Sequence, residues 1–496
     1  MSTSMSNSSA LDELASGADP GESIALHDQH AHDPTAGSIW DSVREALRGS
    51  HRDFTEGSVS RAILILAIPM VLEMVMESVF AVCDVFFVSK LGANAVATVG
   101  LTESWLTLIY AIAMGLAMAA TAVVARRTGE RNRDGAARAA TQAIILGAAV
   151  SLVLGVAGGT LAPRLLAIMG ASSDVIATGT TYTRIMLGGN ASIVMLFLIN
   201  AIFRGAGDAA IAMRVLWLAN AINIVLGPCL IFGLGPFPRL GVAGAALATT
   251  IGRSTGVVFA ASRLLKPGSH MDIHARHLRL EPALIGRLAK LAWSAGAQFL
   301  ISQGSWIALI RILSGFGSNV LAGYTIGVRV IIFALLPAAG LANAAATMVG
   351  QALGARKPER AEHAVRIAGT YNMIVLTAVG VLLAIFAPAI ARLFTSDPAV
   401  IPSAASVLRI VAFGFPFFAW GMVLSLSFNG AGDTRTPTLL NFAVFWCFEI
   451  PLAWILAERA GFGPRGIYLA VSIAFSAYAV VAAAAFRQGS WKTRRV

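Results

Sequence analysis

Twelve long apolar runs follow one another along this chain, and no other feature constrains its fold as tightly. A helix rises 1.5 Å per residue, so about 20 apolar residues cross the hydrocarbon core of a bilayer. The runs lie at about 61–87, 96–124, 137–160, 176–202, 212–234, 241–264, 288–313, 320–348, 365–388, 402–428, 437–457 and 465–486. They lack the ten-residue alternation of an outer-membrane barrel. The 496 residues are 56% hydrophobic and 13% charged, against about 25% charged in a soluble domain. The expected fold is an all-α integral membrane protein of twelve transmembrane helices.

Charge orients this bundle. The net charge of +11 resides largely in RRTGERNRDGAAR, the connection from Arg263 to Lys290, QALGARKPERAEHAVR and the tail RQGSWKTRR. The opposite connections hold scattered cations such as Lys90, Arg164, Arg239, Arg392, Arg459 and Arg465. This asymmetry predicts a multi-pass protein of a bacterial cytoplasmic membrane with both termini cytoplasmic, and makes the bilayer, not nucleic acid, the partner of the basic residues. The first 58 residues are polar, so no cleavable signal peptide is expected, and the first run anchors the mature chain. In that tail SIWDSVREALRG is expected to form a short amphipathic helix on the membrane surface. HDQHAHD, with His27, His30 and His32, reads as solvated tail rather than a metal site. Cys83, Cys229 and Cys447 fall in apolar runs without metal-ligand spacing and read as small hydrophobes. No HExxH or Walker A sequence is present, so an enzyme is not expected.

The chain repeats itself. FRGAGD begins at Phe203 and FNGAGD at Phe428, an offset of 428 − 203 = 225. The same offset pairs Leu91 with Phe316, Gly115 with Gly340, Gly129 with Gly354 and Arg184 with Arg409. Six spans per repeat bring both halves in from the same side, so the two lobes should be related by a pseudo-two-fold axis along the membrane normal. The expected organisation is a polar, largely disordered tail at 1–58, an N-lobe at 59–265, a linker at 266–286, a C-lobe at 287–488 and a basic tail at 489–496.

The first run, MVLEMVMESVFAVCDVFFVSKLG from Met70, carries Glu73, Glu77 and Asp84. With about 100° per residue the three fall within about 40° of one another. A carboxylate facing lipid costs roughly 2.5–3.5 kcal/mol or more, so this face must line a cavity or meet partners. Asp84 is favoured as functional, and Glu73 and Glu77 serve equally well as static partners. Arg184, Arg311, Arg329 and Arg409 are candidate counter-ions. A carboxylate partly withdrawn from water is suited to exchanging protons. Asn223 and Thr249, in NIVLGPCLIFGLG and RLGVAGAALATTIGR, offer oxygens to a cation or act as interhelical glue. Pro69 removes a helix hydrogen bond and marks a place where the first span can bend.

These motifs together resemble the multidrug and toxic compound extrusion (MATE) transporters, over about residues 58–488. The resemblance rests on CDVFFVSKLG after Pro69, FRGAGD and FNGAGD, NIVLGPCLIFGLG with GVAGAALATTIG, and IGVRV. It implies antiport, with an inward proton or sodium ion driving export of an amphipathic, often cationic, small molecule, by a monomer needing no cofactor. The family's first-helix aspartate falls on Asp84. The DinF-like branch adds an asparagine and a threonine, matched by Asn223 and Thr249, but its fifth-helix aspartate is Gly227 here. NorM-like C-lobe acids are also missing: Gln298 and Ser302 stand opposite Glu73 and Glu77, and Glu449 is the acid left in that lobe's spans. These absences favour a proton over sodium, since a proton needs one group where sodium needs several oxygens. Glu73 or Glu77 can replace the missing acid. Flipping of a lipid-linked or polyisoprenoid substrate is the alternative reading, and it calls for a cationic cavity.

Overall fold

The computed structural model describes residues 39–49, 53–266, 271 and 273–494; HDQHAHD and the rest of residues 1–38 lie outside them. A short helix α1 (Ile39–Arg48) precedes α2 (Val59–Ser89), α3 (Ala93–Gly129), α4 (Arg133–Ile168), α5 (Ser173–Gly188), α6 (Ala191–Ala206), α7 (Ala209–Phe232) and α8 (Val242–Leu264). The second half holds α9 (Pro282–Leu313), α10 (Ser318–Gly354), α11 (Pro358–Phe394), α12 (Ile401–Ala412), α13 (Phe415–Gly430), α14 (Arg435–Arg459) and α15 (Pro464–Arg487). Among the described residues eleven stretches are long and apolar enough to cross a membrane, α5 and α6 counting as one.

The tenth expected run, 402–428, is not one helix. It divides into α12 and α13, bent by 59°. Pro416 opens α13 without an N–H to continue the preceding turn. Its repeat counterpart Ala191 keeps that donor, and Asn190 ties the N-lobe joint by donating to Leu187 O (2.7 Å) and Ser151 O (3.2 Å).

The repeat holds at the level of single hydrogen bonds. Arg184 Nε donates to Gly159 O, and Arg409 Nε to Ala384 O, both at 3.2 Å and both offset by 225. Arg184 and Arg409 therefore brace neighbouring helices rather than neutralise the carboxylates, contrary to expectation. Arg311 likewise bonds Ser314, in its own helix end. Arg131 and Arg356, again 225 apart, are the non-glycine residues with left-handed φ, +56° and +58°, among the described residues. Each ends a long helix, α3 or α10, in a conformation that costs an L-residue about 1–2 kcal/mol.

Small residues bring the lobes together. A Cβ on Gly129 would lie 2.0 Å from Gln351 O, one on Gly354 2.1 Å from Arg126 O, and one on Gly340 2.6 Å from Met70 O. Such approaches need glycine, and they let α2 and α3 pack on α10 at backbone distance. They lie at or beyond the helix midpoints towards the face that carries both chain ends. The lobes are thus sealed on that face.

Parts of both tails join this seal; of the tail expected to residue 58, residues 1–38 and 50–52 lie outside the described residues. The helix α1 packs on α2 and α7 of the bundle, with Ala46 1% exposed. The strap from Asp53 to Gly57 then crosses between lobes. From the N-lobe, Arg131 bonds Asp53 and Glu56, each at 2.7 Å. From the C-lobe, Arg360 donates to the carbonyls of Phe54, Glu56 and Gly57 at 2.9, 2.8 and 2.7 Å, and Lys357 donates to Thr55 O at 3.0 Å. At the other end Trp491 is fully buried against Phe486, and Arg126 donates to the Arg494 carbonyl.

Candidate functional site

Between the lobes lies a cavity of about 290 Å³. Its walls are mostly apolar, from Met114, Phe197, Phe299 and Leu336 among others, and its polar groups include Glu73, Glu77, Asn200, Arg204, Asn343 and Asn429. Both lobes contribute, so it is placed where a pseudo-two-fold arrangement puts a transported ligand.

Glu73 is locked. Its Oε1 accepts from Arg204 Nη1 at 2.7 Å and from Asn200 Nδ2 at 3.3 Å, and its side chain is 3% exposed. Its other oxygen, Oε2, is buried without a partner. Glu77, one turn on, accepts from Asn220 Nδ2 at 3.0 Å and lies 3.9 Å from Arg253 Nη2. Arg253 also donates to the Tyr110 hydroxyl at 3.1 Å and stands over the rings of Phe80 and Tyr110, while its Nη1 is buried and unpartnered.

Asp84 differs from both. It lies two turns further along α2, half-buried, with no hydrogen bond or salt bridge among the described residues. It is not among the residues lining the central cavity. Its charge is within electrostatic reach of Arg253 and of Glu103, which in turn feels Arg329 from the C-lobe. Asn223 Nδ2 donates to Thr249 Oγ1 at 2.7 Å, so these two predicted residues meet. Neither bonds Asp84. A Cβ at Gly227 would meet one atom within 4 Å, Asn223 Oδ1 at 3.9 Å, so the space that an aspartate would fill is open. The helix α2 continues unbroken through Pro69.

The C-lobe holds a second cavity of about 320 Å³, lined by Gln298, Ser302, Trp306, Phe418, Tyr478 and Glu449 among others. Glu449 is 3% exposed and has no hydrogen bond or salt bridge among the described residues. It ends a π-helical stretch, Phe442–Glu449, just before Pro451, which lacks the N–H a regular turn would use. Gln298 donates to Ser425 Oγ at 3.0 Å and accepts from Asn429 Nδ2 at 3.2 Å. These residues are the repeat counterparts of Glu73, Asn200 and Arg204. The two lobes therefore hold the same three-residue node, ionic in one and neutral in the other.

Sequence reading missed Arg204, Arg253, Asn200, Asn220 and Glu103. The signal for Arg204 was present: it stands in FRGAGD where the other lobe has asparagine, while Glu73 faces glutamine across the same offset. Arg253 lies deep in α8 without any such pairing. Among the described residues no group of three or more His, Cys, Asp and Glu side chains is placed to hold a metal ion.

The MatE family model matches residues 69–229 and 295–455. The two matches begin 295 − 69 = 226 residues apart, within one residue of the offset in the motifs. A probable multidrug resistance protein of Bacillus subtilis, YoeA, is 24% identical over 443 residues, covering 88% of this chain and 96% of its own. The crystal structure of a MATE in complex with MaL6 superposes with a TM-score of 0.84 at 27% identity, covering 89% of this chain and 99% of that one. A multidrug resistance MATE family transporter of the MOP superfamily in its outward-facing conformation gives the same TM-score and identity, covering 89% and 98%.

Proposed function

The chain belongs to the MATE family of secondary-active efflux transporters, and on that footing we propose that it is a proton-coupled exporter of amphipathic, often cationic, small molecules with Asp84 as the coupling carboxylate. One observation carries the assignment. Of the three acids on α2, Glu73 and Glu77 are held by fixed donors, whereas Asp84 has no hydrogen bond or salt bridge among the described residues. A carboxylate that must bind and release a proton each cycle cannot be tied to a permanent counter-ion.

Glu77 then supplies the acid that Gly227 withholds. It bonds Asn220, one turn before Asn223 on α7, so a carboxylate faces that helix although none grows from it. The Asn223–Thr249 hydrogen bond supports a place near the DinF-like branch. In the cycle, protonation of Asp84 from outside neutralises the outer half of α2, a shift of that helix about Pro69 lets substrate leave, and deprotonation inside resets it. The coupling ion is taken as a proton rather than sodium because Gly227 stands where the branch has an aspartate, and a proton needs one group of suitable pKa where sodium needs several oxygens. A lipid-linked pyrophosphate would call for surplus positive charge, and here Glu73 and Glu77 balance Arg204 and Arg253. The sealed face, with both chain ends and most cations, is taken as cytoplasmic in a bacterial membrane, and the working unit as a monomer.

The test is transport in everted vesicles. Asp84→Asn should abolish proton-driven substrate accumulation while leaving the amount of inserted protein unchanged, and varying sodium at fixed pH should alter the wild-type rate little. Undiminished transport by Asp84→Asn, or a strict sodium requirement, would sink the coupling assignment.

A further inference from the structure

On the face that carries both chain ends, four cations converge on a cavity of about 310 Å³ between α9 and α14: Arg287, Lys290, Arg435 and Arg494. Arg494 lies 3.6 Å from Asp433, the one acid in the cavity wall. Arg287, Lys290 and Arg435 are exposed and have no hydrogen bond or salt bridge among the described residues.

The repeat shows that this opening is not a general property of the fold. The N-lobe counterparts of Arg287, Lys290 and Arg435 are Ala62, Ile65 and Ala210, which are 6%, 4% and 2% exposed. There the chain covers its own surface: Ala46 of α1 and Phe54 of the strap share a core with Ala62 and Ile65. A Cβ on Gly49 would stand 3.7 Å from both Ala210 Cβ and Asp208 Oδ1. In the C-lobe the segment preceding α9 is drawn aside to α4, where Gln142 donates to the carbonyls of His277 and Arg279 and Asp134 bonds His277. Among the described residues the equivalent ledge is left uncovered, and it carries cations in place of small apolar residues.

Its surroundings are those of a membrane interface. One turn inward from Lys290 and Arg435, Ser294 and Thr438 join α9 to α14 at 3.3 Å. Beside that contact Trp293 is 81% and Leu439 69% exposed. Exposed tryptophan at the end of a span sits at headgroup depth, and basic pockets between spans at that depth suit lipid phosphates.

We propose that this cavity binds the headgroup of an anionic phospholipid, with its phosphate among Arg287, Lys290 and Arg435 and its acyl chains running along Trp293 and Leu439. The lipid takes the place in the C-lobe that α1 and the strap take in the N-lobe. The cations alone would suit any phosphate; the apolar flank selects the lipid.

The full-length protein, purified in detergent and exchanged into phosphatidylcholine nanodiscs doped with phosphatidylglycerol or cardiolipin, tests this by native mass spectrometry. Wild type should retain the anionic lipid about tenfold over phosphatidylcholine. The variant Arg287→Gln/Lys290→Gln/Arg435→Gln should lose that preference, and Arg287→Lys/Arg435→Lys should keep most of it. A control removing three cations elsewhere, Arg133→Gln/Arg263→Gln/Arg366→Gln, should behave as wild type; equal loss in both triple variants would overturn the site in favour of diffuse charge. Displacement of the lipid by millimolar inorganic phosphate would overturn the lipid in favour of a free anion. Residues 1–38 carry six acids and no Lys or Arg, so a chain lacking them is the last arm. Lipid preference appearing only in that truncation would make the acidic segment the occupant and overturn the proposal.

Discussion

Glu73 and Arg204 form a buried ion pair whose neutral twin, Gln298 with Asn429, lies at the same node of the other lobe. The comparison separates what the node needs for packing from what it needs for charge. Removing one member of a buried pair leaves the other uncompensated and costs about 3–5 kcal/mol. Arg204→Asn alone should therefore lower the thermal unfolding midpoint markedly. The triple variant Glu73→Gln/Asn200→Ser/Arg204→Asn copies the C-lobe node and should recover most of the loss in the same melting assay, because no buried charge is left and the two hydrogen bonds of the C-lobe node are restored. If that stable triple variant still transports, Glu73 is a structural acid and coupling rests on Asp84; if it is inert, the ionic node belongs to the transport cycle.

At the scale of elements, the strap from Asp53 to Gly57 is a clasp across the sealed face. Arg360 contributes most, with three charge-assisted bonds to carbonyls of the strap. Arg360→Ala should raise amide hydrogen exchange of residues 53–57 by about tenfold or more; unchanged exchange would mean that the strap is held by Phe54 packing alone. The ion contacts with Arg131 are exposed and should matter less. Burial pushes the Asp53 carboxyl up, but hydrogen bonds from Thr55 and Arg131 outweigh it and hold its pKa below the usual carboxylate value. The sign follows: the stability Asp53 contributes is present above the unfolded pKa and is lost as pH falls through the lower folded one. Protection of the strap should be flat across neutral and mildly acidic pH. A loss of protection near pH 6 would assign titration there to some other group.

For the whole molecule, closure of this face depends on contacts that tolerate no side chain. A Cβ at Gly129 would fall 2.0 Å from the Gln351 carbonyl, and neither backbone can yield without parting α3 from α10. Gly129→Val should therefore disfavour the sealed state. Spin labels on α4 and α11 at that face should report a wider lobe separation than in wild type, with export lost and insertion retained. An unchanged distance distribution would show that the helices slide past the added methyls. The same geometry gives the strap its meaning, because it can bridge Arg131 and Arg360 only while the lobes are together.

Hydropathy and the 225-residue offset were enough to read twelve crossings and two lobes, because burying backbone in lipid admits few alternatives and a duplicated chain keeps its register. The family resemblance named Asn223 and Thr249 together, and the two meet in a hydrogen bond. It could not decide which carboxylates are tied down. That depends on Arg204 from α6, Asn220 from α7 and Arg253 from α8, which reach α2 only through packing and carry no spacing rule relative to it. Nor could it foresee the break between α12 and α13, where one proline in place of Ala191 changes a joint. Periodicity and charge asymmetry are local properties of the chain and fixed its architecture; the division of Glu73, Glu77 and Asp84 into bound and free acids is a property of neighbours more than 100 residues away, and only tertiary structure sets it.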